Sequence, residues 1–324
     1  MSRSDAGAMH LTVAICTWNR ARLLEKTLDR MTEVRPPAPV SWDILVVDNN
    51  STDATADVVR NFEGRLPIRL VVESQQGLSH ARNRALAEAS GRYILFTDDD
   101  VLVGDDWLGA LVRGAAAWPD AGGFGGPIEP WFETTPDPTL CEAFPLLARG
   151  FCGIEDARPE GPLGDGQEVF GANMAFRVDA IDGLSFDPNL GASATVGREG
   201  EEVEFSARLR GRGYPIVWLP AMSVRHYVDP SRMTLSYLRR YYEGRGRTTV
   251  RREGVPDGTQ LFGVPRWLLR RWLGQAALVA RSRVTAGRVD YLTNVRNERY
   301  TRGMLKECLA ISRERRREDP LRHA

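Results

Sequence analysis

Gly91-Arg-Tyr-Ile-Leu-Phe-Thr97-Asp98-Asp99-Asp100 is an apolar run that ends in three consecutive carboxylates. Tyr93 to Thr97 has the length and β-content of a buried strand. Placing three like charges just past its end is electrostatically costly unless something cationic sits there. Mg²⁺ or Mn²⁺ uses one or two protein carboxylates and shares its other positions with phosphate oxygens and water. A departing diphosphate needs such an ion, because negative charge accumulates on it as its bond breaks. The competing reading is a solvated acidic turn ahead of the helix that Asp105 or Asp106 caps and that runs through Trp118.

Working outward, strand and helix signals alternate. Leu11 to Thr17 is a β-branched apolar run, and Arg20 to Glu33 repeats Leu23, Leu24, Thr27, Leu28 and Met31 near one helical face. Pro36, Pro37 and Pro39 end that helix. Trp42 to Asp48 is the second strand, Ser51 to Thr55 opens the second helix with capping residues, and Ile68 to Val72 is the third strand. Ser79 to Ala89 is a helix closed by Gly91. Such alternation predicts an α/β fold, with a mostly parallel sheet between helices and ligands at the carboxyl ends of the strands. Thr17, Asp48 and Asp98 to Asp100 all fall at those ends. A carboxylate at Asp48 can accept from a nucleobase imide N–H, while Ser51 and Asp53 read as turn and cap residues.

The middle of the chain is less regular. Gly122 to Gly126 reads as a close-packed strand, Glu133 to Gly166 as a long mobile loop, and Val169 to Phe176 as a strand. Glu201 to Arg212 reads as a helix, followed by short strands at Ile216–Leu219 and Ser223–His226. Acidic residues suit a helix N-terminus, which accounts for Glu201, Glu202 and Glu204 as composition. A carboxylate there can equally take the proton of an attacking hydroxyl.

The whole chain of 324 residues has a formal net charge of zero. From Ser231 to Ala324, however, 22 basic residues face 9 acidic ones. This asymmetry divides the chain into a domain at 1–230 and a basic helical region at 231–324. The basic surplus points to an anionic partner. Trp267, Leu268, Leu269 and Trp272 beside Arg270 and Arg271 predict a helix lying on an anionic leaflet. The tail Arg313 to Ala324 reads as disordered. The four cysteines, Cys16, Cys141, Cys152 and Cys308, form no Cys-x-x-Cys pair and suit reduced thiols. Met1 to His10 lacks the apolar core of a signal peptide, and no apolar run reaches the ~18 residues of a membrane span. These features predict a cytoplasmic protein at the inner face of the plasma membrane.

Six segments carry a resemblance. They are Val13-Ala-Ile-Cys-Thr-Trp-Asn-Arg20, Ile44 to Asp53, Gly77-Leu-Ser-His-Ala-Arg-Asn-Arg-Ala85, Gly91 to Val101, Phe170-Gly-Ala-Asn-Met-Ala-Phe-Arg177 and Gly200-Glu-Glu-Val-Glu-Phe205. In this order they resemble the family 2 glycosyltransferases, inverting enzymes of the GT-A fold, over roughly residues 11 to 228. The resemblance implies transfer of a sugar from a UDP or dTDP donor to a saccharide, lipid-linked or small-molecule hydroxyl acceptor, with Mn²⁺ or Mg²⁺, and within 1–230 a nucleotide-sugar half near 11–103 and an acceptor half near 104–230. Thr17 and Asp48 would hold the base, with Arg20, Arg82, Asp98, Asp99 and Asn173 around the donor. Asp100 would be the principal metal ligand, with Asp98 and His226 completing the site. The family has Glu-Asp where this chain has Glu201-Glu202, so Glu202 inherits the role of base and Glu201 is the alternative.

Other classes fit less well. A sugar nucleotidyltransferase would want a glycine-rich loop after the first strand, and Cys16 to Arg20 contains no glycine. A dinucleotide oxidoreductase would want Gly-x-Gly-x-x-Gly there. A non-catalytic sugar-nucleotide-binding protein is opposed by the intact acidic run and Glu202. No nucleic-acid-binding module is present in the basic region, which predicts no nucleic-acid partner.

Overall fold

The computed structural model describes residues 9–136, 138–147, 158–164, 166–188, 190 and 200–318. Its elements in chain order begin with strand β1 (His10–Thr17), helix α1 (Ala21–Met31), β2 (Ser41–Asp48), α2 (Thr55–Phe62), β3 (Ile68–Val72) and α3 (Leu78–Glu88). Then come β4 (Tyr93–Asp98), β5 (Val101–Val103), α4 (Trp107–Ala117), β6 (Gly123–Gly125), β7 (Ile128–Trp131) and α5 (Pro138–Leu147). The remainder are β8 (Gly161–Pro162), β9 (Met174–Arg177), α6 (Glu201–Gly211), β10 (Ile216–Trp218), β11 (Val224–Tyr227), α7 (Leu235–Glu253), β12 (Gln260–Leu261), β13 (Val264–Pro265), α8 (Arg266–Thr285) and α9 (Arg288–Glu318).

Two units are separable. The first comprises residues 1–131 and 153–227, and the second 132–152 and 228–324. In the first, an eight-stranded sheet runs β3-β2-β1-β4-β9-β6-β10-β8. Strands β3, β2, β1 and β4 are mutually parallel, and β9 enters antiparallel between β4 and β6. The period-two pattern of β1 explains why both faces are covered. Leu11, Val13 and Ile15 pack with Leu24, Leu28 and Met31 of α1, while Ala14 packs with Ala81 and Ala85 of α3. The register sets Thr17 opposite Asp48 and Cys16 opposite Asp98, so three strand ends meet at one rim. A second sheet, β5-β11-β7, pairs Val101 with His226 and brings that histidine to the acidic turn.

The second unit is helical, with α7 and α8 packed on α9. It corrects three sequence expectations. The boundary expected after 230 falls at 227/228, and 132–152 joins the helical unit. Within the expected mobile loop at 133–166, α5 forms: Pro138 suits a first helical position, and Ala143 is buried against Leu238 and Tyr242. The helix α9 continues to Glu318 through the start of the expected disordered tail, and Arg251 pairs with Glu314 there at 2.8 Å. Residues 319–324 of that tail lie outside the described residues.

The expected lipid anchors are largely spent on packing. Leu268 is buried, and Leu269 and Trp272 pack with it against Met304, Leu305 and Cys308. The Trp272 indole also donates to Glu298 Oε1 at 2.9 Å. Positions 268 and 272 are one turn apart and face α9, which is why they cannot face a lipid. The exposed apolar side chains of α8 are instead Trp267, Leu273, Leu278 and Val284. Among the described residues no helix is long and apolar enough to cross a membrane. Cys16, Cys141 and Cys308 are free thiols, and Cys152 lies outside the described residues.

Candidate active site

Asp98, Asp100 and His226 converge where β4 turns into β5, with one ligand atom from each within 4.8 Å of the others. The imidazole Nε2 is 3.6 Å from Asp98 Oδ2 and 3.4 Å from Asp100 Oδ1. Its Nδ1 lies 2.9 Å from the Tyr227 carbonyl oxygen. A carbonyl only accepts, so Nδ1 carries the proton and the neutral ring turns a lone pair at Nε2 towards two carboxylates. That arrangement is repulsive unless Nε2 is also protonated or a cation stands between the groups. Asp100 is 3% exposed and its buried Oδ1 makes no hydrogen bond. A buried carboxylate oxygen so placed fits a divalent cation held by Asp98, Asp100 and His226, and the backbone carbonyl on Nδ1 is the usual outer support of a ligating histidine.

Asp99 points the other way. Its Oδ2 accepts from Thr17 Oγ1 at 2.7 Å and its Oδ1 from Arg20 Nη1 at 3.3 Å. Burial and the neighbouring Asp100 charge push its carboxyl up to about 7. Asp99 is thus turned to Thr17 and Arg20 and away from His226. The Thr17 hydroxyl proton is likewise spent on Asp99, which leaves that oxygen only as an acceptor for a base. Burial also works against the charge of Asp98, but without a cation a doubly protonated His226, with Arg82 and Arg20, outweighs it and holds the carboxyl below its usual range. Thr27 ties the acidic turn to α1: its Oγ1 donates to Asp99 O at 3.0 Å and accepts from Val101 N at 3.2 Å. A threonine among Leu24, Leu28 and Met31 on a buried stripe was the sequence signal for this role. Arg20 also reaches Asp100 Oδ2 at 2.5 Å. Burial disfavours its charge, but Asp100 and Asp99 more than compensate and keep the guanidinium charged.

On the neighbouring strand end, Asp48 is 6% exposed and its Oδ1 accepts from Ser51 N at 2.9 Å. Its turn role and its expected base-binding role therefore fall on one side chain. From α3, Arg82 is fully desolvated. Its Nη1 donates to Glu201 Oε1 at 2.5 Å, and its Nη2 lies 3.9 Å from Asp98 Oδ1. The guanidinium also lies 5.6 Å from the Phe186 ring centroid, and Phe186 stacks on Phe205 of α6. Gly171 makes room for it, since a Cβ there would stand 1.9 Å from Nη2. Glu201 is buried in this ion pair, whereas Glu202 is partly exposed. Burial and the adjacent Glu201 charge push the Glu202 carboxyl up to about 8.

Asn173 differs from its expected place in a ligand pocket. It is 1% exposed, its Oδ1 accepts from Trp107 Nε1 at 2.9 Å, and its Nδ2 donates to Pro127 O at 3.2 Å and Met222 O at 2.6 Å. Both amide hydrogens are used, so Asn173 clamps β9 to α4 and to the segments flanking β7 and β11. The fully buried Trp107 gave no sign of this in the sequence beyond its apolar character. Cys16, opposite Asp98, has its thiol pushed up to about 12, chiefly by burial, and is chemically inert there.

This sheet and rim have the GT-A arrangement. The model of the family described as "Glycosyl transferase family 2" matches residues 12–162, a little under half of the chain. It spans about a quarter of the length of the curated relatives it matches at 36% identity, 24% and 25% of each. Succinoglycan biosynthesis protein ExoM of Rhizobium meliloti (strain 1021) is 25% identical over 248 residues, covering 73% of each chain. Among solved structures, S. aureus TarS 1-349 in complex with UDP is similar with a TM-score of 0.53 at 16% identity, over 92% of each chain. Mannosyltransferase PcManGT from Pyrobaculum calidifontis, in complex with GDP-Man and Mn²⁺, is similar with a TM-score of 0.50 at 19% identity, over 98% of this chain and 77% of that one.

Proposed function

We propose that the protein transfers a sugar from a UDP or dTDP donor to a hydroxyl acceptor with inversion at the anomeric carbon. The observation that carries this reading is the buried Asp100 Oδ1, without a hydrogen-bond partner, facing His226 Nε2 at 3.4 Å on the rim of the sheet. Asp98, Asp100 and His226 would hold a divalent cation, which when bound offsets the charge growing on the diphosphate. Two carboxylates with one imidazole suit Mn²⁺ better than Mg²⁺.

The remaining work falls to the chain's own groups. Asp48 accepts from the imide N–H of the base, which fits uracil or thymine and not cytosine, whose ring N3 carries no hydrogen. Arg82 and Glu201, locked together, fix the start of α6 and aim Glu202 at the acceptor. Glu202 takes the proton of the acceptor hydroxyl as its oxygen attacks, and its raised proton affinity suits that task near neutral pH. The acceptor is a saccharide, lipid-linked or small-molecule alcohol.

Peripheral membrane contact, at the inner face of the plasma membrane, is the reading we favour for α8. Trp267, Leu273, Leu278 and Val284 are exposed there beside the exposed Arg266, Arg270, Arg271 and Arg281. A basic and apolar mixture of this kind suits an anionic leaflet. A thermal-shift panel of UDP, dTDP and GDP with their sugars, in Mn²⁺, tests the donor reading: uridine or thymidine compounds should stabilise the protein most. A preference for GDP would overturn it.

A further inference from the structure

Arg20 occupies an unusual position between the donor side and the candidate cation site. Its Nη1 lies 2.5 Å from Asp100 Oδ2 and 3.3 Å from Asp99 Oδ1. The other oxygen of the same Asp100 carboxylate, Oδ1, faces His226 Nε2 and makes no hydrogen bond. One carboxylate is thus shared, with a guanidinium on one oxygen and the candidate cation position on the other. The side chain of Arg20 is 42% exposed while that of Asp100 is 4% exposed, so Arg20 can withdraw and Asp100 cannot. Arg20 immediately precedes the first residue of α1, and its own side chain does not cap that helix, whose Ala21 N–H donates to Asp53 Oδ2 at 3.1 Å. No capping role therefore holds it in place.

We infer that Arg20 is an internal counter-cation that makes divalent-metal binding depend on the donor diphosphate. The inference rests on the reading of Asp98, Asp100 and His226 as a metal site. A divalent ion entering alone meets a like charge across a single carboxylate, and its binding is weakened. A diphosphate changes the balance. Its oxygens match the planar fork of an arginine and draw Arg20 off Asp100, while other oxygens complete the coordination of the ion. Each ligand then binds better in the presence of the other, and by linkage the two factors are equal. A purely positioning role for Arg20, holding Asp100 in its rotamer, predicts the opposite: metal binding should weaken when Arg20 is removed.

The two signs make the test decisive. Mn²⁺ binding to the full chain is measured from the free-ion paramagnetic resonance signal, with and without saturating UDP. The wild type, Arg20→Gln, Arg20→Lys and Asp100→Asn are compared. Screening of a half-exposed guanidinium limits the effect. Arg20→Gln is expected to bind Mn²⁺ alone about tenfold more tightly than wild type, a change of about 1.4 kcal/mol. The tightening produced by UDP should shrink by about the same factor, and Arg20→Lys, which keeps the charge, should resemble wild type. Equal or weaker Mn²⁺ binding by Arg20→Gln overturns the inference. Asp100→Asn separates the two layers. If it abolishes Mn²⁺ binding while Arg20→Gln does not tighten it, the metal site stands and the coupling fails. If Asp100→Asn binds Mn²⁺ as wild type does, the metal site itself fails and the inference falls with it.

Discussion

Glu201 and Glu202 are neighbours in sequence, but substituting each with glutamine should have opposite consequences. The Arg82–Glu201 pair is buried on both sides, with side chains 4% and 5% exposed and 2.5 Å between charged atoms. Glu201→Gln leaves the Arg82 charge in the interior with Asp98 Oδ1, 3.9 Å from Nη2, and the more distant Glu202 carboxyl to oppose it. Breaking a buried pair from one side typically costs 3–5 kcal/mol. The residual Asp98 attraction places this case near the low end, at about 3 kcal/mol. For a unit of this size that is a fall of roughly 6–12 °C in melting temperature. Glu202→Gln removes a carboxyl whose charge the fold disfavours, so it should hold or raise the melting temperature at neutral pH and lower sugar transfer by roughly 10²-fold or more. The assay pairs calorimetric melting with nucleotide release at saturating donor. A pH profile adds a further check. With its carboxyl at about 8, Glu202 becomes an ionised base only as pH rises. The wild-type kcat/KM should therefore climb up to about pH 8, and that limb should vanish in Glu202→Gln. The same raised value means the folded metal-free protein holds this proton where the unfolded chain releases it. Stability should fall as pH rises from the ordinary carboxyl value to about 8, and Glu202→Gln should remove that fall. A stable Glu201→Gln variant with transfer abolished, beside a fully active Glu202→Gln, would refute the division of roles.

Three further outcomes follow from the geometry. Asn173→Ala strands the Trp107 indole N–H and the Met222 carbonyl in the interior and leaves Pro127 O only its bond from Val224 N; it should cost about 2–3 kcal/mol in chemical denaturation, and a neutral result would contradict the clamp. Asp48→Asn should weaken UDP binding in calorimetry more than it weakens GDP binding, whereas an equal loss for both would remove the imide contact. Leu273→Glu with Leu278→Glu should reduce sedimentation with phosphatidylserine vesicles in a salt-dependent manner, and unchanged pelleting would exclude α8 as the lipid-facing element.

The sheet was legible because its strands carry their own evidence. Leu11, Val13 and Ile15 alternate in type and bury on one face, and the polar residues Thr17, Asp48 and Asp98 mark where each strand stops. What the sequence could not convey was direction at the side-chain level. Asp98, Asp99 and Asp100 are indistinguishable as letters, yet the turn sends Asp98 and Asp100 to His226 and Asp99 to Thr17 and Arg20. The proximity of His226 depends on a strand pairing between residues more than a hundred apart, which local pattern does not encode. Asn173 misled for the same reason, since a polar residue after Gly171 suggests a pocket until Trp107 and two carbonyls are seen to consume it. In the basic region, charge counting identified an unusual surface. Only packing shows that Leu268 and Trp272 face α9 while Leu273 and Leu278 face outward.

The central claim is that this rim activates a nucleoside-diphosphate sugar through a cation held by Asp98, Asp100 and His226. Its most direct test is release of UDP from a panel of UDP-sugars, followed in Mn²⁺ and in excess chelator, for wild type and Asp100→Asn. The account predicts UDP release from at least one donor that requires Mn²⁺ and is lost in Asp100→Asn while the melting temperature is preserved. Release that persists in chelator, or that survives Asp100→Asn, would contradict it.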